Sequence, residues 1–86
     1  MTILAQVSLY PLRQDELSTA IDSALRVFEE YKIYYKKGEM STLIEGEPEQ
    51  IFKALKEAFE KAGEVGDVSM VVTLSNACPF RLPQDK

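Results

Sequence analysis

Between Thr2 and Tyr10 apolar residues occupy every second position. Ile3, Ala5, Val7 and Leu9 fall on one side, and Leu4, Gln6, Ser8 and Tyr10 on the other. Period-two alternation is the mark of a strand with two different faces, and here the first face is wholly apolar and should meet a core. Pro11 has no amide to give a ladder and is expected to end the strand. The period then lengthens. Leu17, Ala20, Ile21, Ala24, Leu25, Phe28 and Tyr31 make one stripe of an α-helix, with Asp22, Arg26 and Glu30 on its solvated side. Gln14 or Asp15 is expected at the N-terminal end of that helix, where a side-chain oxygen can satisfy free amides. From Lys32 to Lys37 the chain returns to β-forming residues, and Gly38 turns it into a paired strand, Met40 to Gly46. Pro48 is suited to the first position of a second helix, because its missing amide would be unbonded there anyway. The expected buried stripe is Ile51, Phe52, Leu55, Ala58, Phe59 and Ala62, closed by Gly63. Val68 to Ser75 is the last strand. Its consecutive Met70, Val71 and Val72 are apolar on both faces, the pattern of a strand inside a sheet.

The order is therefore β-α-β-β-α-β, which predicts an α+β, ferredoxin-like fold: a four-stranded antiparallel sheet with two helices on one face. The whole chain, 1–86, reads as a single domain, with 79–86 as an irregular tail. The helices leave the other face of the sheet open, where Leu4, Leu43 and Val71 are expected. An open apolar face of this kind predicts self-association into a dimer or tetramer.

Composition narrows the function. A formal charge of −4 opposes non-specific attraction to nucleic acid and suits a cationic small ligand. The chain has no histidine and one cysteine, Cys78, so the usual neutral-pH base, the usual metal ligand and a disulfide are all missing. Cys78, beside Pro79, reads as a small packed residue. No stretch has the length and apolarity of a membrane span or the layout of a signal peptide, so a soluble, cytoplasmic protein without membrane or nucleic-acid partners is expected.

The glycines fit neither phosphate-binding spacing, and Glu45 and Glu47 would lie on different elements rather than form an acid–base pair. Tyr34 and Tyr35, adjacent on a strand, are expected to split between the core and an interface. What remains is a set of strand-end polar residues: Ser8, Tyr10, Thr42, Glu45, Ser75 and Asn76, with Met40, Ile44 and Leu74 as an apolar surround. Hydroxyl, amide and carboxylate groups so arranged can read the edge of a heterocycle. Scattered strand-end polar groups with no common site are the competing reading. Alternation sends Thr42 and Glu45 to opposite faces, so a shared pocket needs a bulge near Gly46 or a second subunit.

Three segments carry a resemblance: Ala5 to Leu12, Met40 to Glu47 (reading Met-Ser-Thr-Leu-Ile-Glu-Gly-Glu) and Val72 to Asn76. Together they resemble the thiamine-binding protein family over nearly the whole chain. The resemblance implies a small cytosolic homo-oligomer that assembles through its sheets and binds thiamine, or its hydroxymethylpyrimidine part, without catalysis and without a further cofactor. Ser8, Ser41, Thr42 and Glu45 match the family's motif positions; Tyr10 and Asn76 are added from their placement. A regulatory module of the amino-acid-sensing ferredoxin-like kind is the alternative function.

Overall fold

The computed structural model describes residues 1–13 and 17–77. Its elements run β1 (Ile3–Leu12), α1 (Leu17–Glu30), β2 (Tyr34–Lys37), β3 (Thr42–Gly46), α2 (Pro48–Val65) and β4 (Asp67–Ser75). The strands form one antiparallel sheet in the order β2-β3-β1-β4, the ferredoxin-like arrangement expected from the chain order. The register fixes the faces. Ile3, Ala5 and Val7 lie beside Gly46, Ile44 and Thr42 on one side and, for Ala5 and Val7, beside Leu74 and Val72 on the other. This is the face the helices cover. Ala5, Ile44 and Ile51 are fully excluded from solvent, and Val27, Phe28, Ala54 and Ala58 join them from the helices.

The junction of α1 with β2 is a Schellman motif. The Ile33 amide donates to the Phe28 carbonyl and the Lys32 amide to that of Glu29, each at 3.0 Å. Lys32 takes the left-handed position, φ 57°, usually given to glycine. The motif holds because Ile33 and Phe28, which flank it, are both in the core. Two bonds then tie the α1 end to α2: the Tyr31 hydroxyl donates to Glu57 Oε1 and Gln50 Nε2 donates to the Tyr31 carbonyl, both at 2.8 Å.

Several expectations need correction. Pro11 does not end β1; it pairs opposite Val68, and the strand runs on to Leu12. Beyond Val7, β1 is paired on one side only among the described residues, since β3 begins at Thr42, so a residue without an amide is tolerated there. Met40 and Ser41 precede β3 and belong to the hairpin loop. Gly63 lies inside α2, which continues to Val65 and is followed by Gly66. Phe52 and Phe59 are not in the buried stripe. They stay about half exposed on the flank of α2, while Ala54 lies in the core. Small residues face α1 here, which allows the two helices to approach closely. Finally, β4 is an edge strand rather than an internal one. Apolarity on both faces reports what covers a strand above and below, and says nothing about its edges. Gln14, Asp15, Cys78 and the tail 79–86 lie outside the described residues.

Candidate functional site

The hairpin between β2 and β3 sets the site's position. The Gly38 amide donates to the Ser41 carbonyl at 2.8 Å, leaving Glu39 and Met40 as the tip. A Cβ on Gly38 would stand 2.9 Å from that same carbonyl oxygen, so only glycine fits the close approach. The tip diverges from β1, whose residues Ser8 to Leu12 continue paired with β4 alone. Between them opens a groove of about 450 Å³, roofed by Ile21, Ala24, Leu25 and Phe28 of α1. Val7, Leu9 and Pro11 form one wall and Lys37 to Thr42 the other. The volume lies within the range of small-molecule sites, and the lining is predominantly apolar with a few polar groups, as such sites require.

Of the six residues singled out from sequence, Tyr10, Ser41 and Thr42 border this groove. Thr42 is on the helix-covered face opposite Val7 and is 9% exposed. Its hydroxyl makes no hydrogen bond with any described residue, a costly state for a buried polar group. Ser41 Oγ accepts a hydrogen bond from Gln6 Nε2 at 3.2 Å. Sequence reasoning passed over Gln6, although its place between Leu4 and Ser8 on the polar face was the available signal.

Ser8 and Glu45 belong elsewhere. Their register puts both on the open face, where Tyr34, Glu45, Leu4 and Ser75 form one row across all four strands. Glu45 is 5% exposed and engaged there. The β1–β3 pairing runs unbroken from Ile3–Gly46 to Val7–Thr42, so no bulge turns Glu45 toward Thr42. Within one chain the two do not share a pocket. Asn76 lies at the far end of the sheet from the groove, its Nδ2 donating to Met1 Sδ at 3.4 Å. Met40, expected to desolvate the site, is at the hairpin tip and largely exposed. The aromatic pair divides as expected on the core side: Tyr35 packs on Phe28 with ring centroids 6.4 Å apart, and Tyr34 faces the open side. The Tyr35 hydroxyl donates to Glu29 Oε2 at 2.7 Å, which raises its pKa above the ordinary value, with burial adding to the effect. No group of three or more potential metal-ligating side chains occurs among the described residues.

The family model described as the YKOF-related Family matches residues 2–81. The chain belongs to this family. A curated relative, the UPF0045 protein MJ1052 of Methanocaldococcus jannaschii, is 33% identical over 72 residues, covering 83% of this chain and 70% of the relative. The crystal structure of that archaeal protein superimposes with a TM-score of 0.81 at 27% identity, over 93% of this chain and 84% of the other. Two more distant structures share the fold. Protein SP2199 of Streptococcus pneumoniae has a TM-score of 0.83 at 23% identity, with 92% and 90% of the two chains covered. A candidate thiamine biosynthesis/salvage protein of Thermotoga maritima, TM0486, has 0.78 at 21%, with 86% and 82% covered.

Proposed function

We propose that this member of the YKOF-related family binds a small planar heterocycle without transforming it, and that thiamine or its hydroxymethylpyrimidine part is the ligand. The observation that carries the reading is the Thr42 hydroxyl, buried on the groove wall without a partner among the described residues. A protein gains nothing in stability from such a group, so it is best explained by a ligand that bonds to it. Leu9, Pro11, Leu25 and Phe28 offer flat and branched apolar surfaces for a ring. The overall charge of −4 favours a cation such as thiazolium, while Glu39 and Lys37 on the same wall offset one another. The Thr42 hydroxyl orients a ring rather than cleaves it, while the Tyr10 and Ser41 side chains border the groove from the open-face side of the sheet. The thiamine name of the Thermotoga maritima protein agrees with this ligand class, at the level of a shared fold. Calorimetric titration with thiamine and with the free pyrimidine, together with native mass spectrometry of the purified protein, tests the reading. Micromolar binding of either supports it, and no heat at millimolar ligand abolishes it.

The open face suits a second copy of the chain. Val71 is 57% exposed there, with Tyr10 and Tyr34 also partly uncovered and Leu4 and Leu43 between them. Val71→Lys is expected to lower the mass measured by light scattering to that of one chain. An unchanged oligomer, or a wild type that is already monomeric, removes this face as the contact.

A further inference from the structure

The alternation of peptide groups along the sheet gives the groove a second reader besides Thr42. In an antiparallel ladder, successive residues of a strand direct both peptide groups to opposite neighbours. The Gly38–Ser41 bond sets the phase: Ser41 turns its peptide groups toward β2, so Thr42 turns its own toward β1 and Val7. Val7 answers toward β3, Ser8 is directed to β4, and Leu9 is directed again to the β3 side. There β3 has already ended, and the groove begins. Pro11 supports the same phase independently. It has no amide, and this phase puts its nitrogen on the vacant side rather than against Val68. The N–H and C=O of Leu9 are thus left as an adjacent donor and acceptor on the groove wall, and no described residue bonds to either.

We propose that the free peptide edge of Leu9, with the Thr42 hydroxyl, reads the ring edge of the ligand, which therefore carries a hydrogen-bond donor next to a ring-nitrogen acceptor. An aminopyrimidine has that edge: its exocyclic amine donates to the Leu9 carbonyl while the adjacent ring nitrogen accepts from the Leu9 amide. The ring then lies between β1 and the hairpin, against Leu25 and Phe28. Two neutral bonds on a partly shielded groove wall discriminate against a ring lacking the amine, because the site's own groups would be left less well paired. Glu45, on the opposite face, takes no part in this contact. The assignment rests on the groove being the ligand site, and it replaces a carboxylate contact with a backbone one.

Amide hydrogen exchange on the intact protein tests the phase without mutation. In the free protein the Leu9 amide is expected to exchange on the order of a hundredfold faster than those of Ser8 and Tyr10, which are bonded into the β1–β4 ladder. Saturation with hydroxymethyl-aminopyrimidine should slow Leu9 selectively and shift its amide resonance downfield. The same pyrimidine without its amine should bind about tenfold more weakly or worse, the effect of roughly one lost hydrogen bond. Leu9→Pro removes the unbonded amide and trims a side chain packed against the core, and, like Pro11, is compatible with this phase; Leu9→Val trims the same side chain but keeps the amide and serves as its control. Leu9→Pro should reduce affinity about tenfold in a folded protein, and Leu9→Val should retain it. Equal protection of Leu9 and its neighbours in the free protein overturns the proposal. So does binding whose resonance shifts fall on Ser8, Glu45 and Tyr34, a result that leaves the ligand class standing and moves the site. Preference for an extended peptide along Ser8 to Leu12 also overturns it, and absence of any aminopyrimidine binding takes down the function with it.

Discussion

Replacing Thr42 by valine exchanges one hydroxyl for a methyl at nearly constant shape, and the groove geometry predicts opposite signs for its two consequences. Thr42 is 9% exposed, and its hydroxyl lacks a hydrogen-bond partner among the described residues. A buried, unsatisfied polar group costs about 1–3 kcal/mol in mutational series. The groove is open to solvent on one side, so water recovers part of this, and a gain of about 1 kcal/mol from Thr42→Val is the reasonable estimate. Valine also suits the strand slightly better. In a domain of this size about 1 kcal/mol corresponds to a rise in Tm of roughly 4–8 °C. The ligand, in contrast, loses one hydrogen bond, about 1 kcal/mol or somewhat over fivefold in Kd. Urea and thermal unfolding of the free proteins give the first quantity, and calorimetric titration with thiamine or its pyrimidine gives the second. A Thr42→Val protein that is destabilised by about 1 kcal/mol would show that the hydroxyl is satisfied in the fold. One that binds as tightly as wild type would show that the ligand does not use it. Either result refutes the argument from the unpartnered group.

Other perturbations separate structural from functional roles. Lys32→Gly relieves a left-handed lysine at φ 57° in the Schellman motif, and should stabilise the fold by about 0.5–1 kcal/mol in urea unfolding, with ligand affinity unchanged. Glu45→Gln should leave pyrimidine affinity within about twofold of wild type by calorimetry, because Glu45 faces away from the groove; a tenfold loss would put the ligand on the open face. Tyr31 and Tyr35 each donate to a carboxylate, Glu57 and Glu29, and these bonds, with burial and the carboxylate charges, raise both ionisations above 10.0. Their neutral forms are favoured by folding. The stability they supply is therefore complete below pH 10.0 and declines as pH rises through the elevated values. Urea midpoints that stay flat across that rise, or a Tyr31→Phe, Tyr35→Phe variant with the same decline as wild type, would contradict the assignment.

What the sequence determined by itself is the set of elements and their order. The alternation of Ile3, Ala5 and Val7, the stripe from Ala20 to Phe28 and Pro48 opening α2 are local patterns, set by strand and helix periods and by the chemistry of one residue at a time. They suffice for the ferredoxin-like fold, and alternation alone separated Thr42 from Glu45. The sequence also marked Thr42, which lies on the covered wall of the groove, and Tyr10 and Ser41, which border it from the open face, but it grouped them with Ser8 and Glu45, which lie on the open face away from it, and with Asn76 at the other end. Only tertiary structure decided that grouping, since it depends on where β3 starts relative to β1. The same offset lets Pro11 continue the strand, opens the groove and frees the Leu9 peptide edge. Offsets between strands distant in the chain are fixed by the joint packing of Ile44, Ala5, Phe28 and Ile51 in one core. No local period records them, and so Leu9, whose peptide edge faces the groove, looked from the sequence like one more apolar position on a strand.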